Sequence, residues 1–159
     1  MATLAVQEPL ANALSLLETR FKRQDIAVRL EGSSELPLIC GRAEQLEQVF
    51  LNVLVNAWHA MPNGGTLTIA ALVTPNRTVR LRFVDTGVGM SVEVLARACE
   101  PFYSTKGERG TGLGLAICQQ IIDSHQGTMH LTSTPGAGTT VIIEFPQADT
   151  TDLSPLPLP

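Results

Sequence analysis

Apolar residues at Leu10, Ala13, Leu14, Leu17 and Phe21 recur at three- and four-residue intervals, the spacing of one helical face. This predicts a helix over residues 8–24. Asp25 ends the run, and Ile26, Val28 and Leu30 then alternate as on one face of a strand. Residues 36–40 are apolar but broken by Pro37, so they predict at best an edge strand. A longer helix is predicted over residues 42–61, with Leu46, Val49, Phe50, Val53, Leu54, Ala57 and Met61 in a single stripe; Pro62-Asn63-Gly64-Gly65 stops it. Residues 66–73 and 78–84 read as a hairpin across 74–77. Residues 85–110 carry glycines near both ends and a weak helical pattern over 92–99. A third helix is predicted over 111–125. Two strands near 128–133 and 139–145 then flank the turn Thr134-Pro135-Gly136-Ala137-Gly138.

Strand pairs mixed with helices, without regular strand–helix alternation, disfavour a Rossmann-type arrangement. They predict an α/β two-layer sandwich, with one mixed sheet and helices packed on one face. One domain is expected over 1–147. A disordered or linker tail is expected over 148–159, where three of the last five residues are proline.

Composition narrows the class. With 44% hydrophobic and 16% charged residues the chain has a globular balance, and a formal net charge of −4 argues against nucleic acid as a partner. Cys40, Cys99 and Cys118 form no C-x-x-C pair, which disfavours a zinc site or a disulfide framework and fits a reducing cytosol. No apolar run approaches the roughly 20 residues that span a bilayer, and no signal peptide is evident. A cytoplasmic module without membrane contact of its own is expected, whether or not a parent protein is anchored in an inner membrane.

Three segments carry candidate chemistry. On the long helix Asn52 and Asn56 are four residues apart, outside the apolar stripe, and His59 is three further along. Such a row can be merely solvated. However, asparagine is a poor helix former, and its side-chain oxygen suits a Mg²⁺ ion already carried by phosphates. Second, the strand ending at Val84 runs into Asp85-Thr86-Gly87-Val88-Gly89-Met90. An Asp before Gly is often a turn residue. Here the doubled glycine would also let backbone approach a flat ligand, and a carboxylate would accept from the amine of adenine while rejecting the carbonyl of guanine. Third, Gly110-Thr111-Gly112-Leu113-Gly114-Leu115 opens the third helix, leaving free N–H groups at its positive end for an anion; the alternative is a flexible hinge with a glycine cap. Lys106 lies just upstream and could supply a point charge to phosphates, or be an ordinary surface lysine. Neither a P-loop nor a dinucleotide fingerprint is present.

In this order the segments resemble the signature boxes of the catalytic domain of sensor histidine kinases, a branch of the GHKL ATPase superfamily that includes gyrase B, Hsp90 and MutL. Asn52-Val53-Leu54-Val55-Asn56-Ala57 is similar to the N box, Asp85 to Met90 to the first glycine box, Glu100-Pro101-Phe102-Tyr103-Ser104-Thr105-Lys106 to the F box, and Gly110 to Leu115 to the second glycine box. The resemblance covers residues 8–147, and its wording is closest to the nitrogen-regulation and C4-dicarboxylate sensor kinases. It implies a Bergerat-type ATP-binding fold with a mobile lid between Gly89 and Gly110. It further implies ATP and Mg²⁺ as cofactors, with Asn56 coordinating Mg²⁺, Asn52 supporting it and Asp85 reading the adenine amine. Gly87 and Gly89 would shape the adenine pocket, and Gly110, Gly112 and Gly114 would meet the phosphates. His59 would stand where relatives carry a phosphate-touching basic residue. Met90, Phe102, Thr111, Leu113 and Leu115 complete the implied ATP-binding set, and Asn52, Asn56 and Lys106 the catalytic one.

Gyrase-type relatives carry a glutamate base four residues before the Mg²⁺ asparagine. Here that position is Asn52, an amide that cannot accept a proton, so phosphoryl transfer is favoured over hydrolysis. The resemblance implies a protein-histidine kinase domain that phosphorylates a histidine on a separate helical hairpin, for relay to a response-regulator receiver domain. None of His59, His125 and His130 is followed by Glu or Asp as such an acceptor would be; His125 and His130 read as surface or strand-edge residues. An excised, monomeric catalytic domain is therefore expected. Two alternatives stay open: a single-domain serine kinase of the anti-sigma type, and a nucleotide-sensing interaction module without catalysis.

Overall fold

The computed structural model describes residues 1–101 and 114–149. The first apolar stripe forms helix α1 (Gln7–Arg23), which buries Leu10, Ala13, Leu17 and Phe21. Arg20, Lys22 and Arg23 in its last turn complement the negative end of the helix dipole. Asp25, at φ 57°, takes the left-handed conformation that ends many helices, and its N–H returns to the Lys22 carbonyl at 3.2 Å. Strand β2 (Ile26–Gly32) follows. The long helix, α2 (Ala43–Ala60), returns the chain so that β2 can pair in parallel with β4 (Gly65–Val73), a pairing that needs such a crossover. From β4 the sheet continues antiparallel through β5 (Thr78–Asp85), β7 (Gly138–Pro146) and the edge strand β6 (Thr128–Thr134), giving the order β2-β4-β5-β7-β6.

Alternate residues of the sheet, among them Leu67, Ile69, Leu81, Phe83, Ile143 and Phe145, are buried in one core with the stripes of α1, α2 and α4 (Gly114–Ser124). The sandwich is therefore the expected one, helices on one face of a mixed sheet. A short helix α3 (Val92–Arg97) buries none of its residues. The start of the third predicted helix, before Gly114, lies outside the described residues.

Two features were not legible. Strand β1 (Ala2–Leu4) pairs antiparallel with β3 (Ile39–Gly41) in a separate small sheet; three residues are too few to carry a period. Val28 and Leu30 do share the core face, opposite Leu67 and Ile69, yet they are 37% and 67% exposed. Alternation gives the face of a strand; whether a helix reaches over that face depends on the packing of α1, which lies mainly against α2.

Helix α2 is held at both ends by side chains distant in sequence. At its start the Arg42 N–H donates to His125 Nε2 at 3.1 Å, and no local side chain caps it. At its end Gln24 Nε2 donates to the carbonyls of Trp58 and Met61 at 2.7 and 2.8 Å, a second donor to each beside the backbone N–H groups of Met61 and Gly64. His125 thus departs from the surface position expected of it: it is 3% exposed and stacked edge-on to Phe145. Its Nε2 accepts, so the network assigns the proton to Nδ1, which lies 2.7 Å from the Ile121 carbonyl. His130 is exposed on edge strand β6, as expected.

Candidate functional site

Asp85 is the last residue of β5 and is 7% exposed. Its Oδ1 accepts two backbone hydrogen bonds, from Gly87 N–H at 2.9 Å and from Thr139 N–H on β7 at 3.2 Å. Burial raises its pKa above the ordinary carboxylate value, and the two N–H donors oppose that rise. Both donors engage the same oxygen, so neither of these bonds occupies Oδ2. A buried carboxylate with one oxygen fixed by backbone and the other free of those bonds is built to read a donor.

The loop after Asp85 is seated from two sides. Val88 N–H donates to the Ala60 carbonyl at the end of α2 at 2.9 Å, and Val88 O accepts from Gly136 N–H in the β6–β7 turn at 2.7 Å. Met90 N–H donates to Ser133 Oγ at 2.7 Å. The structure gives these glycines a reason beyond the one expected. A Cβ on Gly87 would strike the Ala60 carbonyl, and one on Gly89, at φ 69°, would strike the Thr134 carbonyl. The close approach these glycines permit in this structure is to protein backbone, which clamps the loop between α2 and the β6–β7 hairpin.

Along α2 the polar row stands as expected, with Asn52, Asn56 and His59 all half-buried beside the buried stripe. Asn52 Nδ2 donates to the carbonyl of Gly114, the first residue of α4, at 3.4 Å. It also meets the thiol of Cys118, which is fully buried. Burial pushes that thiol up to about 11, against the opposing pull of Asn52. Asn52 thus joins the long helix to the start of α4, beside a second link from the Cys118 thiol to the Val49 carbonyl, and Leu115 follows half-buried in the first turn of that helix. Asp85 and the polar row lie on different elements, and the loop carrying Gly87 and Val88 joins them by docking on the end of α2. Phe102, Lys106, Gly110, Thr111, Gly112 and Leu113 lie outside the described residues, as does most of the F box and of the second glycine box.

Sequence reasoning missed the far wall of this site. Ser133, Gly138 and Thr139 were read as parts of a turn and its flanks, yet Gly138 packs on the Asp85 carbonyl and Thr139 holds its carboxylate. The available signal was a glycine turn flanked by hydroxyl residues, which any hairpin could show.

A family model for the histidine kinase-, DNA gyrase B- and HSP90-like ATPases matches residues 41–149. Sporulation kinase A of Bacillus subtilis (strain 168) is 38% identical over 144 residues, covering 91% of this chain but 23% of that kinase. The nucleotide-free catalytic domain of histidine kinase ThkA superposes with a TM-score of 0.81 at 26% identity, over 93% of this chain and 98% of that one. Full-length ShkA in complex with AMPPNP gives 0.82 at 28% identity, over 94% of this chain and 31% of that protein. The chain therefore spans less than a quarter of the length of the sporulation kinase it matches. A buried acceptor at the end of β5, an amide row on α2 and a matching model over most of the fold lead to one assignment: the chain belongs to the histidine kinase-, DNA gyrase B- and HSP90-like ATPase family.

Proposed function

We propose that this chain is the ATP-binding catalytic domain of a two-component sensor histidine kinase, with residues 1–147 forming the functional unit. It holds ATP while a histidine on a separate helical hairpin attacks the γ-phosphorus, and the phosphoryl group passes on to a response-regulator receiver domain. The observation that carries the reading is Asp85, whose Oδ1 is occupied by two backbone donors and whose Oδ2 is the acceptor offered to the exocyclic amine of adenine. The AMPPNP bound by ShkA, a protein of the same fold, supports a nucleotide in this cleft.

In this reading Asp85, Gly87, Gly89 and Met90 hold the base. At the other end the side-chain oxygen of Asn56 contributes to Mg²⁺ carried by the phosphates, and His59 and Lys106 add donors to the phosphate oxygens. Among the described residues no group of three or more His, Cys, Asp or Glu is gathered to hold a metal. A cation shared between one neutral amide and the phosphates fits that donor set. When bound, Mg²⁺ neutralises charge that develops on the transferred group. Gly110, Gly112 and Gly114 are the proposed source of backbone N–H groups for the phosphates. Phe102, Thr111, Leu113 and Leu115 complete the proposed ATP-binding set. Asn52 cannot serve as a base for water, and its amide hydrogen is engaged by Gly114, which favours attack by a nitrogen nucleophile from another domain. No helix among the described residues is long and apolar enough to cross a membrane.

The test is transfer in trans. The chain is incubated with labelled ATP, Mg²⁺ and a histidine-bearing hairpin domain. Label that appears on the hairpin and is lost in acid supports the reading. Acid-stable label on a serine, or binding with no transfer to any hairpin tried, contradicts it.

A further inference from the structure

Ser133, half-buried on β6, has a hydroxyl with one proton to give and two lone pairs to receive, and the structure uses all three. Met90 N–H donates to its Oγ at 2.7 Å. The Gly138 carbonyl lies 3.0 Å away and can only accept, so the Ser133 proton goes there. Thr139 Oγ1, at 2.8 Å, must then be the donor of the third contact. This single oxygen ties together the residue that leaves the Asp85 loop and the residue whose N–H holds the Asp85 carboxylate.

We propose that Ser133 is a positioning residue for base recognition: its hydroxyl joins Met90 to Thr139 and so fixes the direction in which Asp85 presents Oδ2. The inference rests on the reading of Asp85 as the adenine acceptor. A hydroxyl lost from this point frees the Met90 N–H and loosens the seat of the loop whose Gly87 N–H holds Asp85 Oδ1. The carboxylate then keeps its charge but loses its aim. Affinity for an amine-bearing base should fall, while a purine with a carbonyl at that position, which gains nothing from Asp85, should be little affected.

The variants Ser133→Thr and Ser133→Val are nearly equal in volume and differ in the hydroxyl. Calorimetric titrations with ATP and with inosine triphosphate, both with Mg²⁺, would be compared across wild type and the two variants, with thermal melts run alongside. The expected result is that Ser133→Thr stays close to wild type. Ser133→Val should lose about tenfold in ATP affinity and a similar factor in ATP-over-inosine selectivity, the scale of one net hydrogen bond. If Ser133→Val melts lower but keeps wild-type selectivity, the hydroxyl serves stability alone and the proposal fails. Equal losses in both variants also overturn it. A wild-type protein that binds the two nucleotides equally removes the reading of Asp85 and the proposal with it. Should Ser133→Val not fold, Ser133→Ala carries the same comparison with less steric demand.

Discussion

The two regions to which the proposal assigns the base and the phosphates of ATP are built from different materials. At the base end the working group is a single carboxylate, and what orients it is backbone: the N–H groups of Gly87 and Thr139, with Gly138 packed against its own carbonyl. At the phosphate end the candidates Asn52, Asn56 and His59 are side chains on one helix, and α2 itself is placed by Gln24 and His125 at its two termini. Backbone donors bring no rotamer freedom, so the base end is preorganised before any ligand arrives. At the end assigned to the phosphates the polar groups are side chains of one helix, and Asn52 is further tied to the Gly114 carbonyl of α4. Base selectivity and phosphate affinity should therefore be separable by mutation.

Asp85→Asn should have the largest effect. The amide oxygen can keep both backbone hydrogen bonds while its NH₂ faces the adenine amine, donor against donor. ATP and ADP affinity should fall by about a hundredfold or more in calorimetry, alike with and without Mg²⁺. The same variant should melt at or above the wild-type temperature. A carboxylate whose folded-state pKa is raised lends stability below its unfolded pKa and loses it as pH rises through the folded value, so at neutral pH the ionised Asp85 is a cost. A marked drop in melting temperature would mean that Asp85 is structural.

Asn56→Ala tests the other end. It should lower Mg²⁺–ATP affinity by about tenfold and leave adenosine affinity nearly unchanged, because one neutral ligand to a shared cation is lost. Equal losses for ATP and adenosine would erase the distinction between the two ends. Acidification comes next. Because the amine must meet an ionised Asp85, ATP affinity should weaken as pH falls, beginning at a higher pH than an unshifted carboxylate would give. An affinity flat through that fall would contradict the raised pKa. The smallest effect on binding belongs to Gln24→Ala, which removes two hydrogen bonds from the end of α2; it should cost about 1–2 kcal/mol of stability by denaturant melts and change nucleotide affinity little.

Much of this was legible in the chain. The stripes of α1 and α2 appear buried as read, apart from half-buried Leu14, because an amphipathic helix carries its packing face in its own period. Asp85 and its glycines were legible as a unit because a strand end followed by Gly-x-Gly is a local pattern. The physical role of those glycines was not: Gly87 and Gly89 meet Ala60 and Thr134, contacts across 27 and 45 residues that no local spacing encodes. The same holds for His125, which looked like a surface residue until Arg42, 83 residues earlier, supplied its donor. Ser133 and Thr139 lay hidden for a related reason, since a hydroxyl in a strand signals β-propensity until its partners are known.

The central claim is that the base is read by one oxygen of Asp85. It is tested most directly by titrating the wild-type domain with ATP and with inosine triphosphate, which differ at the exocyclic amine. The account predicts that the exchange of amine for carbonyl costs about a hundredfold or more in affinity. Equal affinities would contradict it.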